Sequence, residues 1–143
     1  MIISCLIAWL RVTMPSSIDE KRKFFPVLKW NAEARVTQVW FPGVHSDVGE
    51  GHEESGLSDI ALKWMIERAY EHGVRFKASA VKKLKQDPCT TMHDSLTGMW
   101  LKFGPKERPI PKTAKVQTIT KKRVQKMADY NLGNLSENPN YVA

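Results

Sequence analysis

Between Gly43 and Ser55 the chain places two histidines, His45 and His52, and four carboxylates, Asp47, Glu50, Glu53 and Glu54, around Gly49 and Gly51. An imidazole beside a carboxylate can act as a general base near neutral pH. The same nitrogen and oxygen donors suit a divalent ion, and His45, Asp47, His52, Glu53 and Glu54 fall within ten residues. Their spacing matches no defined metal site, and carboxylates on a loop ordinarily face water. No metal site and no cofactor are therefore expected. Pattern alone also allows a structural His45, ordered by Asp47 or by a backbone carbonyl. Asp47 and Asp59 are expected to bond backbone donors or to form the mouth of a site.

These side chains need elements to hold them. Arg35 to Phe41 is rich in Val, Thr, Trp and Phe, which suit a pleated, buried surface, and Pro42-Gly43 ends the run. His45 thus falls just past the carboxyl end of a strand, the edge where open α/β sheets bind ligands. Gly43, Gly49 and Gly51 permit positive φ, so the loop can close around its polar side chains. A helix follows, with Ser58 read as its N-cap, Leu57 and Leu62 as a hydrophobic staple, and Gly73 as its stop. Its apolar positions cover more than one stripe, while Lys63, Glu67, Arg68 and Glu71 hold a wet side. Such a helix packs on a sheet.

Trp40-Phe41-Pro42-Gly43-Val44-His45-Ser46-Asp47-Val48-Gly49, followed by Leu57-Ser58-Asp59-Ile60-Ala61-Leu62-Lys63-Trp64-Met65, resembles the signature of the type VI secretion phospholipase effectors of the α/β-hydrolase class. Upstream, Ser17-Ile18-Asp19-Glu20-Lys21-Arg22 with Phe24-Phe25-Pro26 and Trp30 resembles a second segment of that family. His93-Asp94-Ser95 and the stretch from Arg123 to Leu135 resemble its end more loosely.

The resemblance implies an α/β fold, in which this chain is the C-terminal fragment of a hydrolase-like sheet: a strand, a Gly-rich His loop and a packed helix, then a basic mixed tail. It also implies a domain portion over residues 17–135, after a divergent segment 1–16 and before a frayed tail 136–143. Hydrolases of this scaffold carry nucleophile, acid and histidine in that chain order. The resemblance therefore gives His45 the place of triad base, within a site loop of Gly43, Asp47, Gly49 and Gly51. No Gly-x-Ser-x-Gly occurs in the chain, and no residue is assigned as nucleophile or acid. The expectation is a partial serine hydrolase or phospholipase, inactive alone, whose substrate is a phospholipid or other ester once an upstream hydrolase fragment completes it. Where the family loop reads Gly-Gly-Gly-Tyr, this chain has Gly49-Glu50-Gly51-His52.

Size and charge bound the alternatives. At 143 residues the chain suits one modest domain. The apolar run Met1 to Leu10 is about half the roughly 20 residues a membrane helix needs, so no transmembrane segment is expected. Cys5 and Cys89 form neither a metal spacing nor a disulfide framework. The net charge of +7 concentrates between Val74 and Tyr130, where fourteen Lys and Arg face four acids. That half would attract an anionic surface, so the alternative function is a non-catalytic module binding anionic lipid, nucleic acid or an acidic partner. The expected location is cytoplasmic, or wherever a type VI secretion route delivers the protein. Short strands and loops are expected around Met99 to Phe103, and a short basic helix over Lys121 to Asp129.

Overall fold

Alternation along Val39, Trp40 and Phe41 sends Val39 and Phe41 to one face of a sheet and Trp40 to the other, and both faces are buried. The computed structural model describes residues 11–31 and 33–143. Strand β1 (Val12–Ser17) pairs with β2 (Val36–Phe41) in parallel, and β3 (Lys115–Gln117) and β4 (Asn140–Val142) extend the sheet in the order β1-β2-β3-β4. Every pairing is parallel, with Ser17 opposite Phe41 and Gln117 opposite Val142. The carboxyl ends of all four strands thus share one edge. This is an α/β fold, as the sequence implies. The apolar run Met1 to Leu10 lies outside the described residues.

Helices α1 (His45–Gly49) and α2 (Gly56–Glu71) follow β2. Leu57, Ile60, Ala61 and Trp64 of α2 pack with Val48 on Val39 and Phe41, and the Trp64 ring meets Phe41 edge-on at 5.3 Å. Ile18, Trp40 and Val116 form the core of the opposite face. The wet side of α2 is as expected, with Lys63 paired to Glu67 and Arg68 to Glu71. Its stop is also where Gly73 predicts: Gly73 has φ +90, its N–H reaches the Tyr70 carbonyl, and the Val74 N–H reaches that of Ala69.

Several local expectations are corrected. The helix cap is Ser55, one turn before Ser58, whose hydroxyl donates to the Ser55 carbonyl. Leu57 consequently lies inside the helix and is buried, whereas Leu62 is exposed, so the two form no staple. Gly98–Phe103 is a short 3-10 helix instead of a strand, with Met99, Leu101 and Phe103 facing outward and Trp100 half-buried. The basic helix is displaced upstream, α4 being Ile119–Lys126, with α3 (Ala78–Val81) a single turn before it. The tail does not simply fray, because Asn140–Val142 forms β4 against β3. Two cations of the basic half are also internal. Arg108 donates to the Ser17 and Phe25 carbonyls, and Arg123 to those of Pro88 and Thr90 at 2.6 and 2.9 Å, so neither serves an outer charged surface.

A candidate acid–base site at the carboxyl edge

The turn after β2 is held by the acids that follow β1. Asp19 Oδ2 accepts the Gly43 N–H at 2.6 Å and the Tyr130 hydroxyl at 2.8 Å. Burial pushes the Asp19 carboxyl above its ordinary value, and those two bonds, with Arg123 and Lys21 nearby, offset part of the rise. Glu20 accepts from the His45 N–H at 3.2 Å, the Ser95 hydroxyl at 2.6 Å, and both the backbone and the guanidinium of Arg22. Burial alone would raise its carboxyl. The bonds from Arg22, Ser95 and His45 outweigh that and hold it at about 2.

Gly43 carries the turn at φ +112. A Cβ there would stand 2.6 Å from the Asp47 Cβ and 3.2 Å from Leu57. Gly43→Ala is therefore expected to cost about 2 to 3 kcal/mol, combining backbone strain with a clash, and to displace Asp47. Urea unfolding checks the first effect, and the His93 ring resonances check the second.

Asp47 is the centre of the arrangement. Its carboxylate, 2% exposed, accepts the Val44 N–H at 3.0 Å and the His93 N–H at 3.2 Å through Oδ2, while Oδ1 lies 2.7 Å from His93 Nδ1. An ionised carboxylate only accepts, so His93 Nδ1 must carry the proton; in the neutral imidazole Nε2 is then the free acceptor. Glu54, on the exposed loop, brings Oε2 to 3.3 Å from that nitrogen, a contact that pairs only when Nε2 is protonated as well, so Nε2 acts as an acceptor once Glu54 has moved off it. His93 also lines a cleft of about 360 Å³ with Asp19, Glu20, Asp94, Glu107 and Asp129, whose other walls include Met92, Tyr130 and Asn131.

His45 stands apart from this pair. Its residue is exposed, its backbone is tied to Glu20, and its ring meets Phe25 edge-on at 5.8 Å. Asp47, two residues on, points at His93 instead. The expectation that Asp47 and Asp59 bond backbone donors holds for both, since Asp59 Oδ2 accepts the Lys85 N–H at 2.6 Å. Of the remaining loop residues, Gly51 does take a positive φ, but Gly49 is helical and Glu50 carries φ +69 in its place. That conformation strains a residue with a Cβ. Glu50→Gly is expected to stabilise the fold by about 1 kcal/mol, read as a raised urea midpoint.

The possible metal donors assemble differently from the local pattern. Asp47, His52 and His93 bring ligand atoms within 4.8 Å of one another, with neither His45 nor Glu53 among them. The His52 and His93 rings, however, stack at 3.5 Å with planes 11° apart. Imidazole lone pairs lie in the ring plane, so parallel planes that far apart cannot converge on one ion at about 2.0–2.1 Å until a ring turns. The geometry is that of an Asp–His pair with a second imidazole laid on it.

Residues 11–68 match the family model of the T6SS phospholipase effector Tle1-like catalytic domain. The match takes in β1, the Asp19 and Glu20 segment, β2, Asp47 and most of α2, and it begins inside the segment expected to be divergent. A 51-residue stretch is 45% identical to the uncharacterized protein YEL023C of Saccharomyces cerevisiae, covering 32% of this chain and 8% of that protein. The chain thus spans a small part of the curated relative it matches. No solved structure matches.

Proximity to Asp47 is what local sequence reasoning missed in His93, and the buried braces Asp19 and Glu20 were missed as well. The only signal for any of them was their presence in the segments that resemble the family.

Proposed function

We propose that this chain supplies the acid and base of a serine hydrolase site acting on an ester, with phospholipid as the substrate class. The observation that carries the reading is the 2.7 Å contact between His93 Nδ1 and the buried Asp47 Oδ1. Asp47 fixes the imidazole so that Nε2 can take the nucleophile's proton and return it to the leaving group. The order Asp47 before His93 agrees with the acid-then-histidine order of α/β-hydrolases. In this reading the base is His93, and His45, whose ring meets Phe25, takes no part in proton transfer. Asp47 takes the place of the acid that was expected to lie outside the chain.

The serine is to come from another segment or chain, since Gly-x-Ser-x-Gly is absent and Ser95, two residues from His93, is bonded to Glu20. Glu54 stands where a nucleophile hydroxyl would meet Nε2, and on its exposed loop it can swing aside. The family match supports lipid as substrate and a type VI secretion route as the means of delivery. Among the described residues no helix is long and apolar enough to cross a membrane.

The test adds the nucleophile-bearing part of a related effector in trans and measures turnover of short and long acyl esters. The expected result is activity that needs both parts and is abolished by a serine-reactive phosphonate. Equal turnover with and without this chain would overturn the proposal.

A further inference from the structure

Beside the acid–base site the surface is apolar in an unusual way. Phe24 is 58% exposed, Met99 64%, Leu101 61% and Phe103 46%. Two segments bring them together: Arg22 bridges to Pro105, the Lys106 N–H bonds the Lys21 carbonyl at 2.8 Å, and the Phe24 and Phe103 rings meet edge-on at 5.1 Å. Beneath them Trp100 packs on Phe25 at 5.5 Å, and the Arg22 guanidinium lies 3.6 Å over the Phe25 ring. Phe24 and Phe103 therefore stand on a braced layer, and Met99 and Leu101 project exposed from the same short turn, which puts four apolar side chains on two adjacent segments.

Lysines crowd the turn, and the carboxylates nearby gather on the side of the His93 cleft, which Lys21 and Glu107 also line. Lys21, Lys23, Lys102 and Lys106 are all exposed, and Glu107 is the acid in that stretch. The apolar groove along α2 differs, because its rim mixes Lys63, Arg68 and Lys82 with Glu67 and Glu71.

We infer that the 99–103 turn with Phe24 is a lipid-facing wedge that seats this chain on an anionic phospholipid surface. Apolar side chains ringed by lysines fit an interface where acyl chains lie under anionic headgroups. Each Lys near such a leaflet adds roughly fivefold to partitioning at low salt. The base of the wedge reaches the site through Glu20, which joins Arg22 to Ser95 and to the His45 backbone. Seating the wedge would hold the His93 cleft close to the membrane surface.

The inference stands on exposure and charge, and it does not depend on the catalytic role of His93. Co-sedimentation with phosphatidylcholine vesicles, with and without phosphatidylglycerol, tests it. The whole chain is expected to pellet with the anionic vesicles and to be released by high salt. Met99→Ser with Leu101→Ser should lower partitioning at least about tenfold without changing the far-UV dichroism, since neither residue is buried. Lys23→Glu with Lys102→Glu should do the same on anionic vesicles alone. His93→Ala should bind as the parent does, so loss of the hydrolase reading and loss of this one are separable. Equal pelleting of the Ser variant would overturn it. So would a stable oligomer that ignores both vesicles, which would mean the face is covered by a second copy.

Discussion

His93→Ala is expected to remove essentially all ester turnover from the complemented protein, whereas His45→Ala leaves most of it. The asymmetry follows from which ring the buried acid holds. Asp47 offers one oxygen to two backbone N–H groups and the other to His93 Nδ1 at 2.7 Å, while the His45 ring contacts Phe25. Losing the base of a triad costs about four to six orders of magnitude in turnover, far above the 1 to 2 kcal/mol of a lost structural hydrogen bond. Asp47→Asn should fall nearly as far, because the amide can present its N–H to Nδ1 and invert the tautomer. Turnover and association are measured together for all three variants. If His45→Ala is the silent one for binding but not for turnover, the base has been misassigned, and His93 with Asp47 is a structural clasp.

The strand, turn and packed helix are legible in the sequence because each has a local cause. Val39, Trp40 and Phe41 alternate across a pleat, Gly43 alone tolerates φ +112 beside Asp47, and Gly73 closes α2 with the bonds its type predicts. β1 has no comparable signal. Its residues Val12–Ser17 include Pro15 and two serines, and they become a strand by pairing along the whole of β2. β4 is likewise three residues, held by pairing with β3, by Thr118 bonding the Val142 carbonyl, and by Tyr141 and Val142 packing on the two faces of the core.

The site was less legible for the same reason. Asp47 and His93 are 46 residues apart, and nothing near either one announces the other. Local crowding drew attention to His45 and Glu53, which do not converge, and away from the residue that does. Positive φ is expected wherever glycine permits it in the loop, at Gly43, Gly49 and Gly51, and of these Gly49 does not take it. Glu50 takes it instead, at the place where the resembled family carries glycine.

Glu20→Ala is expected to be the most damaging of the stability changes, at about 3 to 5 kcal/mol, because it strips a fully buried carboxylate from Arg22, Ser95 and the His45 N–H at once. Glu20→Gln should cost less, and it isolates the charge. With its folded value held at about 2 against an ordinary 4.5, the ionised Glu20 contributes on the order of 3 kcal/mol above pH 4.5. That contribution is lost as pH falls from 4.5 through about 2, since the unfolded chain takes up the proton first. Asp19 works in the opposite sense: its raised carboxyl opposes folding where it is ionised, and relief comes as the pH falls. The parent profile therefore mixes both terms, and the difference between parent and Glu20→Gln at each pH separates them. Urea unfolding from neutral pH down to pH 3 should show the two curves converging as the acid is titrated. Curves that stay parallel across that range would mean that Glu20 is not held as an ion, and that the turn bearing His45 is braced by something else.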